Sequence, residues 1–200
     1  MTTTKNGATI AKEALGGAFW TAPAGTALPT EEVIDAYLNG SGSDDYKTVT
    51  KGFSFVSEVS EDGIALSEET DSEEFKNMNG NTVLTVSTSR TETITVKFIE
   101  MNETSLKELY GAGNVTKTEG NNFKVAHNSD ESPERVAVLL IALVDGRRMV
   151  RVVPRYKVTE RGDETLAPSA LLARDITCTT YTDDDGNTVI DYLTDEAKGE

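Results

Sequence analysis

The sequence feature that most constrains the fold is a continuous apolar run over residues 135–144, RVAVLLIALV. The run is too short to span a bilayer, and its length and β-branched content favour a strand that is buried on both faces. Asp145 and Gly146 follow directly, and an Asp-Gly pair after an apolar strand is a strong hairpin signal. The sequence therefore predicts a β-hairpin at the centre of the fold.

The return strand of this hairpin alternates between apolar and basic residues. One parity is predicted to face the core: Val150, Val152, Pro154, Tyr156 and Val158. The opposite parity is predicted to be exposed: Arg147, Arg151, Arg155 and Lys157. Pro154 has no amide hydrogen to donate, which favours an edge position or a bulge at that residue.

A second extended element is indicated by the Thr/Val-rich residues 82–99, which follow an Asn79-Gly80 turn signal. Residues of one parity form an apolar series, which predicts one face of a strand: Leu84, Val86, Ile94, Val96 and Phe98. Thr88, Arg90 and Glu92 interrupt the series. The interruption leaves two alternatives, one long strand that projects beyond the core or two strands that meet near Ser89.

Further elements complete a mainly β pattern. Asn102 or Thr104 can cap a helix that is ended by Gly111, and Thr30 can cap a short helix that begins at Glu31. Alternation from Tyr46 to Phe55 and from Arg174 to Tyr181 predicts more strands. We predict a mainly β (α+β) fold, an antiparallel β-sandwich or partly closed barrel with one flanking α-helix at about residues 102–110. The domain division is an N-terminal arm over 1–30 and a single β domain over 31–200.

The charge of the chain is strongly negative and unevenly distributed. A formal net charge of −15 argues against gripping nucleic acid through its phosphates, but it is compatible with enclosing DNA. Residues 57–74 contain eight acidic residues and no basic one, whereas residues 147–161 contain six basic residues and one acidic. If the two stretches lie on opposite surfaces, they favour head-to-tail stacking of identical subunits. If they lie next to each other, they neutralise each other within one subunit. Both alternatives remain open from sequence alone.

Candidate subunit-interface residues come from these charged stretches and from the arm. The acidic candidates are Glu61, Asp62, Glu68 and Glu69, and the basic candidates are Arg147, Arg151 and Arg155. Phe19 and Trp20 are large aromatics in a segment with little periodicity, so they are expected to pack either on their own domain or on a neighbouring subunit.

The residues offer little material for catalysis. A single cysteine, Cys178, lies in a β-like run and is expected to be a small core residue, and the single histidine, His127, precedes a polar string. The run Asp183–Asn187 lacks the closing glutamate of a calcium loop and favours a hairpin turn. We therefore expect no enzyme activity, no cofactor and no metal site. Neither a signal peptide nor a membrane span is apparent, so a cytoplasm or a particle assembled there is the expected location.

The order of several short motifs resembles the major tail proteins, or tail tube proteins, of siphophages. These motifs are AFWTAPAGTALP (18–29), VSEDGI (59–64), the Thr/Val ribbon, FIEMNETSLKELYG (98–111), and a late Asp-Gly hairpin with a proline in its return strand. The resemblance covers about residues 15–160.

This resemblance implies a β-sandwich or partly closed barrel flanked by one helix, whose subunits form hexameric rings that stack into a tube. DNA would pass through the lumen without specific binding. The implied partners are other copies of the chain and other tail proteins (tape measure, tail terminator, distal tail protein), with no membrane. The implied location is the virion tail, assembled in the host cytoplasm. By the same resemblance, the 1–30 arm and the 40–80 region are the expected inter-ring contacts.

Three alternatives remain: a tail terminator, a secretion-system tube-like protein, and a carbohydrate-binding β-sandwich of a host-adhesion device. Terminators stop at single rings, whereas a glycan-binding surface requires a row of exposed aromatic residues.

Overall fold

A computed structural model of the chain describes residues 17–40, 42, 44–120, 122–128, 132–143, 146–169 and 172–194, together with the backbone of 11–13. The described strands are β1 Ala11–Glu13, β2 Phe19–Pro23, β3 Ser54–Phe55, β4 Val59–Lys76, β5 Thr82–Phe98, β6 Val115–Lys117, β7 Phe123–Val125, β8 Arg135–Leu143, β9 Arg148–Arg161, β10 Arg174–Thr180 and β11 Ile190–Leu193. The helices are α1 Glu31–Asn39, α2 Tyr46–Val49 and α3 Glu103–Tyr110, with a 3₁₀ turn at Ala112–Asn114.

Nine of the described strands form one antiparallel sheet, in the order β3-β2-β8-β9-β10-β5-β4. Strand β1 pairs with the end of β8 beyond β2, and β11 pairs with the start of β9 beside the β8–β9 turn. Strands β6 and β7 form a separate two-stranded ribbon. The prediction of a mainly β, antiparallel fold with few helices is confirmed, and the described strands do not close into a barrel.

The central hairpin is confirmed as β8 and β9, with β8 buried on both faces. Gly146 makes the turn with a φ of 87° and donates its N–H to Leu143, while Asp145 lies outside the described residues. One face of β8 contacts α1 and α2 through Val136, Val138 and Leu140. The other face carries Ala137 and Leu139, which pack with residues of β2, β5 and β10 and with Leu109 of α3.

A bulge in β9 distributes its apolar residues between these two cores. The register with β8 shifts between Arg135↔Tyr156 and Ala137↔Val153, which leaves Pro154 and Arg155 without a matching pair. Val150 and Val152 therefore join the core beneath α1, and Tyr156 and Val158 join the core beneath α3. The bulge predicted at Pro154 is confirmed, whereas the prediction of one shared apolar face is wrong because a bulge reverses the alternation.

Two predicted segments fold differently. Tyr46–Val49 is a single helical turn rather than a strand. The backbone carbonyls of Asp44 and Asp45 accept the N–H groups of Lys47 and Thr48, and Val49 is buried in the core. Within the expected arm over 1–30, Phe19–Pro23 forms a strand of the sheet. Phe19 and Ala22 lie on opposite faces of this strand, and each is 1% exposed. Residues 1–10 of the expected arm lie outside the described residues.

The single flanking helix of the prediction is α3, and α1 and α2 cover the other face of the sheet in addition. Asn102 caps α3 as predicted: its side chain accepts the N–H of Ser105, and the Ser105 hydroxyl accepts the N–H of Asn102. Gly111 follows α3 with a φ of 85°, a conformation that suits glycine. None of the described helices is long and apolar enough to cross a membrane.

A buried polar network joins α3 to three strands. The carboxylate of Glu108, which is 1% exposed, lies 2.7 Å from Arg135 Nε of β8 and accepts a 2.7 Å hydrogen bond from the Tyr156 hydroxyl of β9. Thr21 of β2 lies 2.6 Å from the same hydroxyl and accepts a hydrogen bond from Arg135. Burial raises the pKa of Glu108, and Arg135 opposes that effect only in part.

We predict that the stability of the protein carries a pH dependence specific to Glu108. Because its folded pKa lies above its ordinary value of 4.5, its contribution is fully present below 4.5 and is lost as pH rises through the raised pKa. The free energy of unfolding of the wild type should therefore fall, relative to Glu108→Gln, as pH increases above 4.5. Urea titrations of both proteins at several pH values measure this difference.

Glu103 on the same helix provides the matched control. Its pKa is lowered by a 2.6 Å hydrogen bond from Lys107, so its contribution is present above 4.5 and is lost as pH falls. The difference between the wild type and Glu103→Gln should therefore have the opposite slope. Parallel curves for wild type and Glu108→Gln would contradict the role of burial.

Candidate assembly surface on a projecting hairpin

Strands β4 and β5 form a hairpin whose outer part leaves the sheet where the pairing of β5 with β10 ends. The outermost residue of β5 that pairs with β10 is Thr93, opposite Thr179, and from there to Thr82 β4 is the only described strand beside β5. At the usual rise per residue this projecting part is about 35 Å long. All residues from 67 to 91 are exposed. Of the two alternatives left by the sequence, the single projecting strand is correct.

The turn at the tip follows from its asparagines and glycine. The side chain of Asn77 accepts the N–H groups of Asn79 and Asn81, each at 3.0 Å, and Gly80 adopts a φ of 82°. These contacts close the hairpin without help from the rest of the protein, because they join only residues of the turn itself.

Exposed apolar side chains cluster in the outer part of this hairpin. Phe75 lies directly opposite Leu84 and is 46% exposed, while Leu84 is 55% exposed. Val86, Val83 and Met78 are also exposed, Met78 completely. A large apolar side chain exposed in this way gains free energy only by contact with another surface. We call residues 75–86 the hairpin tip.

A bulge places these side chains on the face opposite the core. Asp71 pairs with Ser89 and Ser72 with Ser87, so Thr88 is the extra residue. On the body side of the bulge, Leu66 and Ile94 pair on the face that packs into the core. Beyond it, Leu84 and Val86 lie on the other face. The prediction that they share a face with Ile94 is wrong, because one inserted residue reverses the alternation.

Ion pairs fix the point at which the hairpin leaves the body. Arg90 donates to Glu68 at 2.9 and 3.1 Å and to Glu92 at 2.7 Å. Glu92 is only 5% exposed, and Thr188 donates a hydrogen bond to its carboxylate. The hairpin therefore begins at a well-bonded base, although its outer part is in solvent.

The structure separates the two predicted charged stretches. Strands β10 and β5 lie between the basic strand β9 and the acidic strand β4. Arg151 pairs with Asp191 at 2.6 and 2.8 Å, and Arg155 donates to Glu134 at 3.0 Å. These two basic candidates thus have acidic partners outside residues 57–74.

The other candidates occupy several places. Glu61 and Asp62 lie near the start of β4, at the end of the body away from the hairpin tip, and Glu68 and Glu69 lie where the hairpin leaves it. Arg147 follows the β8–β9 turn. The interface role of these residues stays a prediction.

The aromatic pair of the expected arm packs on its own domain. Phe19 is 1% exposed and makes edge-to-face contacts with Phe98 and Tyr156, so it has no surface to offer a neighbour, which corrects its expected interface role. Trp20 is half-buried against Tyr46 and Phe55.

Cys178, expected in the core, is fully buried there, and burial raises its pKa well above 9.0. Among the described residues no group of three or more His, Cys, Asp or Glu side chains is placed to hold a metal ion.

Sequence reasoning missed the hairpin tip as a surface. Parity predicts that Leu84 and Val86 share a strand face with Ile94, and Phe75 and Met78 lie beside an acidic stretch. The signal available in the sequence is the presence of apolar residues on both sides of the Asn79-Gly80 turn. In the structure these residues are exposed, because the body of the subunit does not cover them.

Comparison with known proteins identifies a family. A model of the phage tail tube protein family matches residues 2–200. No curated protein matches the chain.

Similar solved structures include the sheath–tube complex of an extracellular contractile injection system, PVC, in its extended state (10% identity, 88% of this chain and 89% of that chain, TM-score 0.41). Another is the tube-terminating cap of the anti-feeding prophage (11% identity, 97% and 100%, TM-score 0.42). A third is the PVC sheath/tube terminator (13% identity, 88% and 93%, TM-score 0.35).

We predict that the hairpin tip contributes little to the stability of the single subunit. Leu84→Ser should change the free energy of unfolding by no more than about 0.5 kcal/mol, because Leu84 is exposed. The same substitution at Ile94 on the same strand, which is 1% exposed, should cost about 3 kcal/mol or more. Urea unfolding at a concentration where the protein is monomeric compares the two. A large loss from Leu84→Ser would mean that the tip packs on its own body.

Proposed function

Because the chain belongs to the phage tail tube protein family, we propose that its copies form rings that stack into the tail tube, with the β4–β5 hairpin bridging successive rings. The chain is a structural subunit of the virion tail. The observation that carries the bridging role is the hairpin itself, which extends about 35 Å from the body at the usual strand rise and exposes apolar side chains at its tip.

Ring formation is supported by the open edges of the sheet. Among the described strands the sheet ends on β3 at one side and on β4 at the other. Edge strands present unpaired main-chain groups that are available to another chain. Pairing between neighbours around a closed ring satisfies such edges, and the acidic residues of β4, including Glu61, Glu68 and Glu69, restrict that pairing to a complementary partner.

The net charge of −15 supports a tube through which DNA slides. Negative surfaces repel phosphates, so a lumen formed by such subunits offers DNA few places to bind. We propose self-association as the main interaction, with contacts to other tail proteins at the two ends of the tube and assembly in the host cytoplasm.

Negative-stain microscopy of the purified protein at high concentration tests this proposal. We expect tubes of uniform width, formed spontaneously or upon co-expression with a tail initiator. Single rings that never stack would instead identify a terminator-like subunit. A monodisperse monomer under all salt conditions, with no tubes upon co-expression, would reject the proposal.

A shortened hairpin tests the bridging role separately. Residues 72–88 are replaced by Asn-Gly, which joins the paired residues Asp71 and Ser89 through a two-residue turn and keeps the ion pairs of Arg90. The variant should fold with the stability of the wild-type body and should form no tubes. Leu193→Ser, at an exposed position of β11, is the control that should still assemble. Tubes from the shortened variant would exclude the hairpin as the bridge.

A further inference from the structure

We propose that the hairpin tip of one copy docks into a groove at the opposite end of the next copy, formed by the loop between β9 and β10 and the start of β4. This inference rests on the proposed stacking of subunits and adds the receiving site. Both halves of the contact are present on each chain, so the interface is heterologous, and copies that stack in one orientation through it extend without closing.

The two ends of the body follow from the sheet register. Strand β5 runs from the tip at Thr82 to the body end at Phe98, which pairs with Arg174 at the start of β10. The β9–β10 loop therefore lies beside Phe98, at the end away from the projecting hairpin. When copies stack in one orientation, the hairpin of the first copy points at this loop of the second.

The receiving groove has an exposed apolar part. Leu166 is 79% exposed and Leu172 is 42% exposed, and together with Pro168 they line a cavity of about 300 Å³. These are large apolar side chains that the subunit leaves in solvent at this end, as it leaves those of the tip at the other end. Contact between the two removes both groups from water.

An adjoining cavity of about 660 Å³ shares Thr165 with the first and supplies an acidic rim. Glu61, Asp62 and Asp163 line it together with Lys97, whose Nζ lies 3.7 Å from an Asp175 carboxylate oxygen, so the three carboxylates outnumber the one cation. The hairpin tip contains one charged residue, Lys76, and no acidic residue. Lys76 forms an exposed ion pair with Glu74, 3.8 Å between Nζ and the carboxylate oxygen, and 57% of its side chain remains exposed to a partner. Apolar contacts flanked by a lysine–carboxylate contact thus match the tip to the groove.

The same charges disfavour the simplest alternative, in which two hairpins pack face to face. The face that carries Phe75 and Leu84 also carries Glu69, Asp71 and Glu73, as the strand alternation requires. A symmetric contact between two such faces brings equivalent carboxylates together, and like charges placed opposite each other are destabilising. When only the hairpin tip enters the groove, Glu69, Asp71 and Glu73 remain outside it.

Cross-linking of two full-length variants tests the contact. Met78→Cys and Leu166→Cys proteins are purified separately, mixed under assembly conditions and treated with a short bis-maleimide. We expect a covalent dimer in the mixture at a level several-fold above either variant alone. Wild-type protein gives the background, because its only cysteine, Cys178, is fully buried. Leu193→Cys, at an exposed position near the other end of the body, replaces Leu166→Cys as the matched control and should not cross-link to Met78→Cys.

A charge reversal gives a second readout. Lys76→Glu, added to the Met78→Cys chain, should lower the cross-linking yield about two- to fivefold, the range expected for a pair of exposed charges. Asp163→Lys, added to the Leu166→Cys chain, should restore the yield. The double reversal separates a specific contact from a general effect of net charge.

The possible outcomes separate failure of the proposed receiving groove from failure of the proposed tube function. Tubes that form without the 78–166 cross-link would overturn the receiving site and leave the proposed function intact. Cross-linking of Met78→Cys to itself in place of the mixed dimer would show that hairpins pair with each other, which also overturns the proposal. The absence of both tubes and the mixed cross-link would overturn the groove and the proposed function together.

Discussion

Strand β8 is buried on both faces and pairs with β9, and the remaining elements of the subunit are arranged around this pair. Two cores form, one under α1 and α2 and the other under α3. In the sheet, β2 lies beside β8 and β10 lies beside β9. The network around Glu108 joins α3 to β2, β8 and β9 across one core. A buried charge of this kind is stable only when its partners are held in place, so the network depends on the packing around it.

Two bulges determine how the sequence pattern is converted into surfaces. The bulge at Pro154 divides the apolar residues of β9 between the two cores, and the bulge at Thr88 moves the apolar residues of the outer hairpin away from the core face. The elements themselves could be predicted from local signals: the apolar run of β8, the turn at Asn79-Gly80 and the cap at Asn102. The facing of side chains beyond a bulge could not. Pro154 gives a local reason for a bulge, because it lacks an amide hydrogen, whereas nothing about Thr88 distinguishes it from its neighbours.

The candidate site was predicted only in part for the same reason. The sequence identified an extended ribbon and an acidic segment, and both belong to the projecting hairpin. Parity places Leu84 and Val86 on one strand face with Ile94, so it does not reveal the exposed apolar tip. Pairing within the fold was also invisible: Arg151 and Arg155 contact Asp191 and Glu134, which are distant in sequence from the acidic stretch. Long-range register decides both cases, and composition carries no information about it.

The exposed tip is compatible with a subunit that remains soluble until it assembles. Full burial of a large apolar side chain contributes about 1.5–3 kcal/mol, and the tip residues are already partly covered, so each gains less. The sum over the tip is then of the same order as the cost of association, which is about 4–15 kcal/mol. A single docked hairpin therefore holds two free subunits weakly. In the proposed tube a ring presents several hairpins to the next ring at once, and after the first has docked the others bind at a high effective concentration without a new translational cost. If the hairpins dock as proposed, stacking is favourable between rings and unfavourable between isolated chains, and ring formation is then the step that controls growth of the tube.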